Sequence, residues 1–108
     1  MPTVPMFPLE VAMLPGEELP LRIFEPRYAA MVHACLTADD PAFGVVLIER
    51  GSEAGGGDQR FSVGTMARIL QVDPRADDIH VVAVGGARVA VDRWLEDAPY
   101  PAASVTAL

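Results

Sequence analysis

The side chains best suited to metal or thiol chemistry in this chain are His33, Cys35 and His80. His33 and Cys35 are two apart in a segment of helical spacing, so they point in different directions. A metal site would need His80 and a carboxylate brought to them by the fold. The simpler reading makes Cys35 a small core residue, as free cysteines commonly are, and His33 a residue at the helix edge. Nucleophilic chemistry has no better footing. The serines are Ser52, Ser62 and Ser104, none in a G-x-S-x-G elbow. The acidic pairs Glu17-Glu18, Asp39-Asp40 and Asp77-Asp78 all fall in turns, where such side chains are solvated or bond local backbone. No catalytic, cofactor-binding or metal-ligating set emerges.

Composition narrows the field further. All 8 basic residues are arginines, and the absence of lysine excludes a Ser-Lys dyad, a Schiff-base lysine and a phosphate-binding loop ending in Lys-Ser/Thr. A net charge of −7 works against nucleic acid, which asks for a cationic footprint. With one cysteine no internal disulfide can form, and neither a signal peptide nor a membrane-spanning run is present, so the expectation is a soluble cytoplasmic protein. At 108 residues, rich in valine, with 9 glycines and 10 prolines, residues 1–108 read as a single, mainly β domain.

The elements that would position any site follow from local pattern. Residues 4–14, punctuated by proline, read as an edge strand with its lead-in. "PGEE" at 15–18 is a turn in which Gly16 can take positive φ. Leu19, Leu21 and Ile23 alternate with Pro20 and Arg22 in a half-buried strand over 19–24. Pro26 then suits the first position of a helix, since it has no N–H to lose there. Tyr28, Met31, Val32, Cys35 and Leu36 form one apolar stripe along that helix, and "TADD" with Pro41 ends it. "FGVVLIE" at 43–49 predicts a strand covered on both faces, 50–60 a polar loop, and 61–73 a long strand with Gly64 at a bulge or bend. Residues 79–96 suggest a hairpin turning at Gly85-Gly86, with Trp94 in the core or at its rim, and 102–108 begin a last strand. The sum is a small, partly closed β-barrel or sandwich of six or seven strands with one helix as a lid. A strand running to Leu108 suggests a piece of a longer protein.

Four stretches carry a family resemblance. "FPLEVAMLPGEELPLRIFEPRY" resembles the opening of the Lon protease N-terminal domain, a strand-turn-strand running straight into a helix. "VGTMARILQV", "VVAVGGARVAVDRW" and "APYPAASV" are similar to later segments of the same family, in the same order, across residues 5–106. "LRIFEPRY" is nearest to stand-alone Lon-substrate-domain proteins. The resemblance implies a PUA-like pseudo-barrel with one helix (α+β), usually followed by a helical half absent here. It also implies recognition of unfolded or tagged protein substrates and a part in assembly, with catalytic and nucleotide sites in other domains.

The expected function is therefore a non-catalytic module that binds unfolded or extended segments through an apolar surface and open strand edges. Such a surface is expected at the strand-turn-helix joint: Leu19, Leu21, Phe24, Arg27 and Tyr28, with Met13 and Leu14 nearby. The alternatives are an assembly domain that covers this surface with its own missing half or a second copy, and, against the charge, a PUA-like nucleic-acid binder. No cofactor and no membrane partner are expected.

Overall fold

The computed structural model describes residues 2–48 and 60–108, without the side chains of Arg60 and Phe61. The polar loop expected at 50–60, with Ser52, lies outside the described residues up to position 59. In chain order the elements are β1 (Thr3–Leu9), β2 (Glu18–Ile23), α1 (Pro26–Cys35), β3 (Ala42–Ile48), β4 (Arg60–Pro74), β5 (Ile79–Trp94) and β6 (Ala102–Ala107). The strands form one sheet in the order β2-β5-β4-β3-β1-β6, and an additional β5–β6 pairing closes five of them into a barrel. β1 runs parallel to β3, and the other pairings are antiparallel. The predicted mainly β class with a single helix is the one observed.

Helix α1 starts where Pro26 placed it. Glu25 is the N-cap, Pro26 follows at the first helical position, and Tyr28, Met31, Val32 and Cys35 are the buried face. The stripe stops one residue sooner than its spacing suggests, because Leu36 is the C-cap and stands half in solvent. Beneath the helix lies the larger core cluster, in which Met31, Val32 and Tyr28 meet Ile23, Phe43, Val45, Val81 and Ala83. A second cluster of Met6, Val46, Val89, Ala103 and Val105 fills the barrel. Strand β3 serves both: Phe43 and Val45 face the helix side and Val46 faces the barrel. That double burial is what its continuous apolar run requires.

Three expectations need correction. The first strand is not an edge strand, since β1 lies between β3 and β6, and it ends at Leu9, not at residue 14, because its pairing with β3 stops at Leu9↔Leu47. Beyond it the chain turns inward to bury Met13, whose carbonyl accepts a hydrogen bond from the buried Thr65 hydroxyl at 3.0 Å. The bulge expected at Gly64 lies beside it, where register shifts between Val46 and Ile48 on β3 and between Thr65 and Ala67 on β4.

The third correction is the largest: no hairpin turns at Gly85-Gly86. β5 runs unbroken through both glycines, and neither has positive φ, whereas Gly16 does at 82°. Gly85 is needed for close approach. A Cβ there would lie inside the van der Waals shell of the Leu14 carbonyl oxygen. With that space open, the Gly16 N–H donates to the Gly85 carbonyl and the Gly85 N–H donates to the Glu17 carbonyl, each at 2.8 Å. The glycines also mark the point where β5 changes partner, from β2 over residues 79–84 to β6 over 89–94.

Candidate substrate-binding surface

Among the described residues strand β2 has a neighbour on one side only, which leaves its other edge open. Which backbone groups face outward follows from parity. Glu17, in register with Gly85, accepts from the Gly85 N–H, so the odd positions 19, 21 and 23 bond to β5. The even positions face away. Pro20 agrees, since it has no N–H and can occupy only the outward set without breaking the ladder. The open edge thus offers the N–H groups of Glu18 and Arg22 and the carbonyls of Glu18, Pro20 and Arg22. A proline at its centre is also a common way to blunt an edge against uncontrolled pairing.

Exposed apolar side chains flank this edge. Phe24, just past its C-terminal end, is 62% exposed, and Leu14, in the turn before its start, is 53% exposed. Five strand steps separate Glu18 from Ile23, a span of about 17 Å. Arg22 lies over the Phe24 ring, with its guanidinium carbon 5.3 Å from the centroid. The same Arg22 donates to Asp78 at 2.5 Å, and His80, its partner across the strands, is 3.4 Å from that carboxylate oxygen. The arginine hydrogen bond, reinforced by His80, holds the Asp78 carboxyl below the usual carboxylate range. This cluster ties the C-terminal end of β2 to the turn before β5.

The residues expected at the joint divide by direction. Met13 and Tyr28 belong to the core, at 4% and 6% exposure. Leu19 and Leu21 are partly buried against the same cluster. The Tyr28 ring meets Phe7 edge-on at 4.6 Å and carries the Arg27 guanidinium 4.7 Å above its centroid. Arg27 itself is exposed and paired with Glu25 at 3.2 Å. Of the seven, Leu14, Phe24 and Arg27 are left for a partner to touch, and the outward backbone of β2 joins them. Sequence alternation signalled that backbone through Pro20, the one residue of β2 that could not face inward.

Cys35 is buried and donates to the Ala42 carbonyl at 3.3 Å; burial pushes its thiol up to about 11. His33 is exposed. A cleft of about 450 Å³ opens on the barrel-facing side of β3–β4–β5, lined by Asp40, Ala42, Met66, Arg68, Val84 and the Gly85-Gly86 pair.

Among the described residues the fold is a helix-capped pseudo-barrel in which β2 keeps an unpaired edge rimmed by exposed apolar side chains. The family model described as the ATP-dependent protease La (LON) substrate-binding domain matches residues 3–108, and the chain belongs to that family. It is 32% identical over 108 residues to Lon protease 2 of Myxococcus xanthus, covering 97% of this chain and 13% of that protein. Among solved structures it resembles a Lon N-terminal domain protein from Xanthomonas campestris, with a TM-score of 0.81, 29% identity, and coverage of 99% of this chain and 60% of that one. The N-terminal domain of the Mycobacterium avium complex Lon protease has the same fold, with a TM-score of 0.71 at 21% identity, covering 99% of this chain and 55% of that one. The chain thus spans only part of each relative. No helix among the described residues is long and apolar enough to cross a membrane.

Proposed function

We propose that this chain is a non-catalytic protein-binding module that holds extended, unfolded segments along the open edge of β2. The supporting observation is that edge itself: outward backbone groups at Glu18, Pro20 and Arg22, bracketed by the exposed Leu14 and Phe24. A client segment adds a strand to β2, and its apolar side chains lie against Phe24 at one end and Leu14 at the other. Arg27, seated on the Tyr28 ring, contributes a charge at the Phe24 end. Met13, Leu19, Leu21 and Tyr28 set the shape of the joint from beneath. The absence of lysine fits a module without a Ser-Lys dyad, and the unpaired, buried cysteine fits the reducing cytoplasm.

A titration followed by amide NMR tests this, with a permanently unfolded protein as the client. Shifts concentrated on residues 18–24, lost in Phe24→Ser without loss of peak dispersion, are expected. Dispersed spectra that do not move on addition of client would refute it. A second reading draws on the chain's covering 60% of the Xanthomonas protein and 13% of the Myxococcus one. In that reading the β2 edge is covered by another part of a longer polypeptide, or by a second copy. A stable dimer in light scattering, together with no client shifts, would favour it.

A further inference from the structure

The cleft beside β5 has features that neither the core nor the β2 edge explains. Gly86 is the first. Gly85 is required by the Leu14 carbonyl, but a Cβ on Gly86 would meet only the Met66 carbonyl oxygen, at an ordinary 3.6 Å. Its φ is not positive, so the backbone does not ask for glycine either. Glycine inside a strand is unfavourable, and its presence marks places where something else approaches the backbone. Here it keeps one wall of the cleft open.

Arg68 is the second feature. Arg22, Arg27 and Arg75 each pair with a carboxylate, whereas among the described residues the exposed Arg68, like Arg88 and Arg93, has no ion-pair or hydrogen-bond partner for its side chain, and of these three it alone lines the cleft. Asp40 lines the same cleft but does not pair with it. Around Arg68 the lining is apolar, from Ala42, Met66 and Val84. The third feature is the bulge. Between Thr65↔Arg88 and Ala67↔Gly85, β4 advances two residues and β5 three. One of Gly86 and Ala87 therefore has no partner on β4, which leaves a backbone N–H outside that ladder.

Resting on the client-binding reading above, we propose that this cleft captures the free C-terminal carboxylate of a polypeptide whose last side chain is apolar. Arg68 pairs with the carboxylate, the bulged backbone at Gly86 donates to it, and the terminal side chain lies against Met66 and Val84. Charge-assisted bonds from a guanidinium and a backbone N–H are the usual means of holding such a group. The cleft is within reach of the edge. Arg68, Val84 and Glu18 lie in one cross-strand row, so Arg68 is two strand spacings, about 10 Å, from the start of β2. A client paired along β2 can cross Val84 and end in the cleft.

The test is fluorescence anisotropy with an N-terminally labelled pentapeptide ending in leucine, as the free acid and as the C-terminal amide. The acid is expected to bind about tenfold tighter than the amide, the usual scale for one charge-assisted contact. Arg68→Gln removes that preference, Asp40→Asn strengthens it by deleting a like charge, and Gly86→Val reduces acid binding to the amide level. Thermal melting is expected to show Gly86→Val and Gly86→Ala folded. Equal binding of acid and amide, or unchanged acid binding in a folded Gly86→Val protein, would overturn the assignment. An unfolded protein with a blocked C-terminus separates the two readings. If it still binds through Phe24 while the pentapeptides show no acid preference, the cleft assignment alone falls; if nothing binds, both fall.

Discussion

Replacing Gly85 by alanine and, separately, Gly86 by alanine sets two readings of the same dipeptide against each other. In a tight hairpin both glycines would sit in the turn, and either substitution would be costly. In the continuous β5 only Gly85→Ala should hurt. The added methyl collides with the Leu14 carbonyl, which is backbone and cannot rotate away. Relief requires moving the 14–17 turn off β5. That strains or breaks the Gly16–Gly85 and Gly85–Glu17 hydrogen bonds, about 1 kcal/mol each. Residual overpacking against the Leu14 carbonyl adds about 1–3 kcal/mol. A loss of about 3–5 kcal/mol is therefore expected for Gly85→Ala, which for a domain of this size lowers Tm by roughly 15–20 °C. Gly86→Ala meets nothing closer than 3.6 Å and should be neutral or stabilising, by up to about 1 kcal/mol. Urea unfolding, reading the midpoint at constant m, measures both. Equal destabilisation by the two substitutions, or none from Gly85→Ala, would refute the close-approach account.

Three further outcomes are expected. Thr65→Val keeps the shape of the side chain but orphans the buried Met13 carbonyl, so it should cost about 1–3 kcal/mol in the same urea experiment. With its thiol raised to about 11 by burial, native Cys35 should react with a thiol-disulfide reagent at pH 8 more than about a hundredfold slower than in the urea-unfolded chain. Asp78 has a folded pKa lowered chiefly by the Arg22 hydrogen bond, so its stabilisation is present above the unfolded value near 3.8 and is lost as pH falls through the folded value. Stability measured from pH 5 down to pH 2 should therefore fall less steeply in Asp78→Asn than in the parent, and parallel profiles would show that Asp78 does not carry this dependence.

Local rules were enough wherever a single signal dominated. Pro26 and the Tyr28–Cys35 stripe located the helix to within a residue, and the unbroken apolar run of β3 foretold burial on both faces. They failed where a residue's role is set by something distant in sequence. Gly85-Gly86 has the composition of a hairpin turn, and only the approach of the Leu14 carbonyl, about seventy positions earlier, explains why glycine is there. The candidate surface was half legible for a related reason. Alternation in 19–23 shows that every second residue turns inward, but both sets at this joint include apolar side chains. Tyr28 goes under the helix and Phe24 into solvent because β2 ends between Ile23 and Phe24. Arg68 and Gly86 gave no sign at all, since a lone arginine in a strand and the second glycine of a pair have ordinary explanations until their neighbours are known.

The magnitudes also bear on how such an edge can serve as a binding site. Pairing along β2 gives a client at most five outward backbone groups, with a missing donor at Pro20, worth about 5 kcal/mol in all at roughly 1 kcal/mol per bond. Ordering a six-residue segment costs about 6–12 kcal/mol of backbone entropy. Main-chain pairing alone therefore leaves the client unbound. Burial against Phe24 and Leu14, at up to about 1.5–3 kcal/mol for each fully covered side chain, brings the sum close to balance. On that account, affinity depends on the apolar anchors at the ends of the edge and not on the strand between them. Clients of very different sequence can then be held, provided they are extended and carry apolar residues about 17 Å apart. On the proposed reading a folded protein meets both conditions less often than an unfolded one, because most of its apolar residues are buried and most of its strands are already paired, and that difference favours unfolded clients.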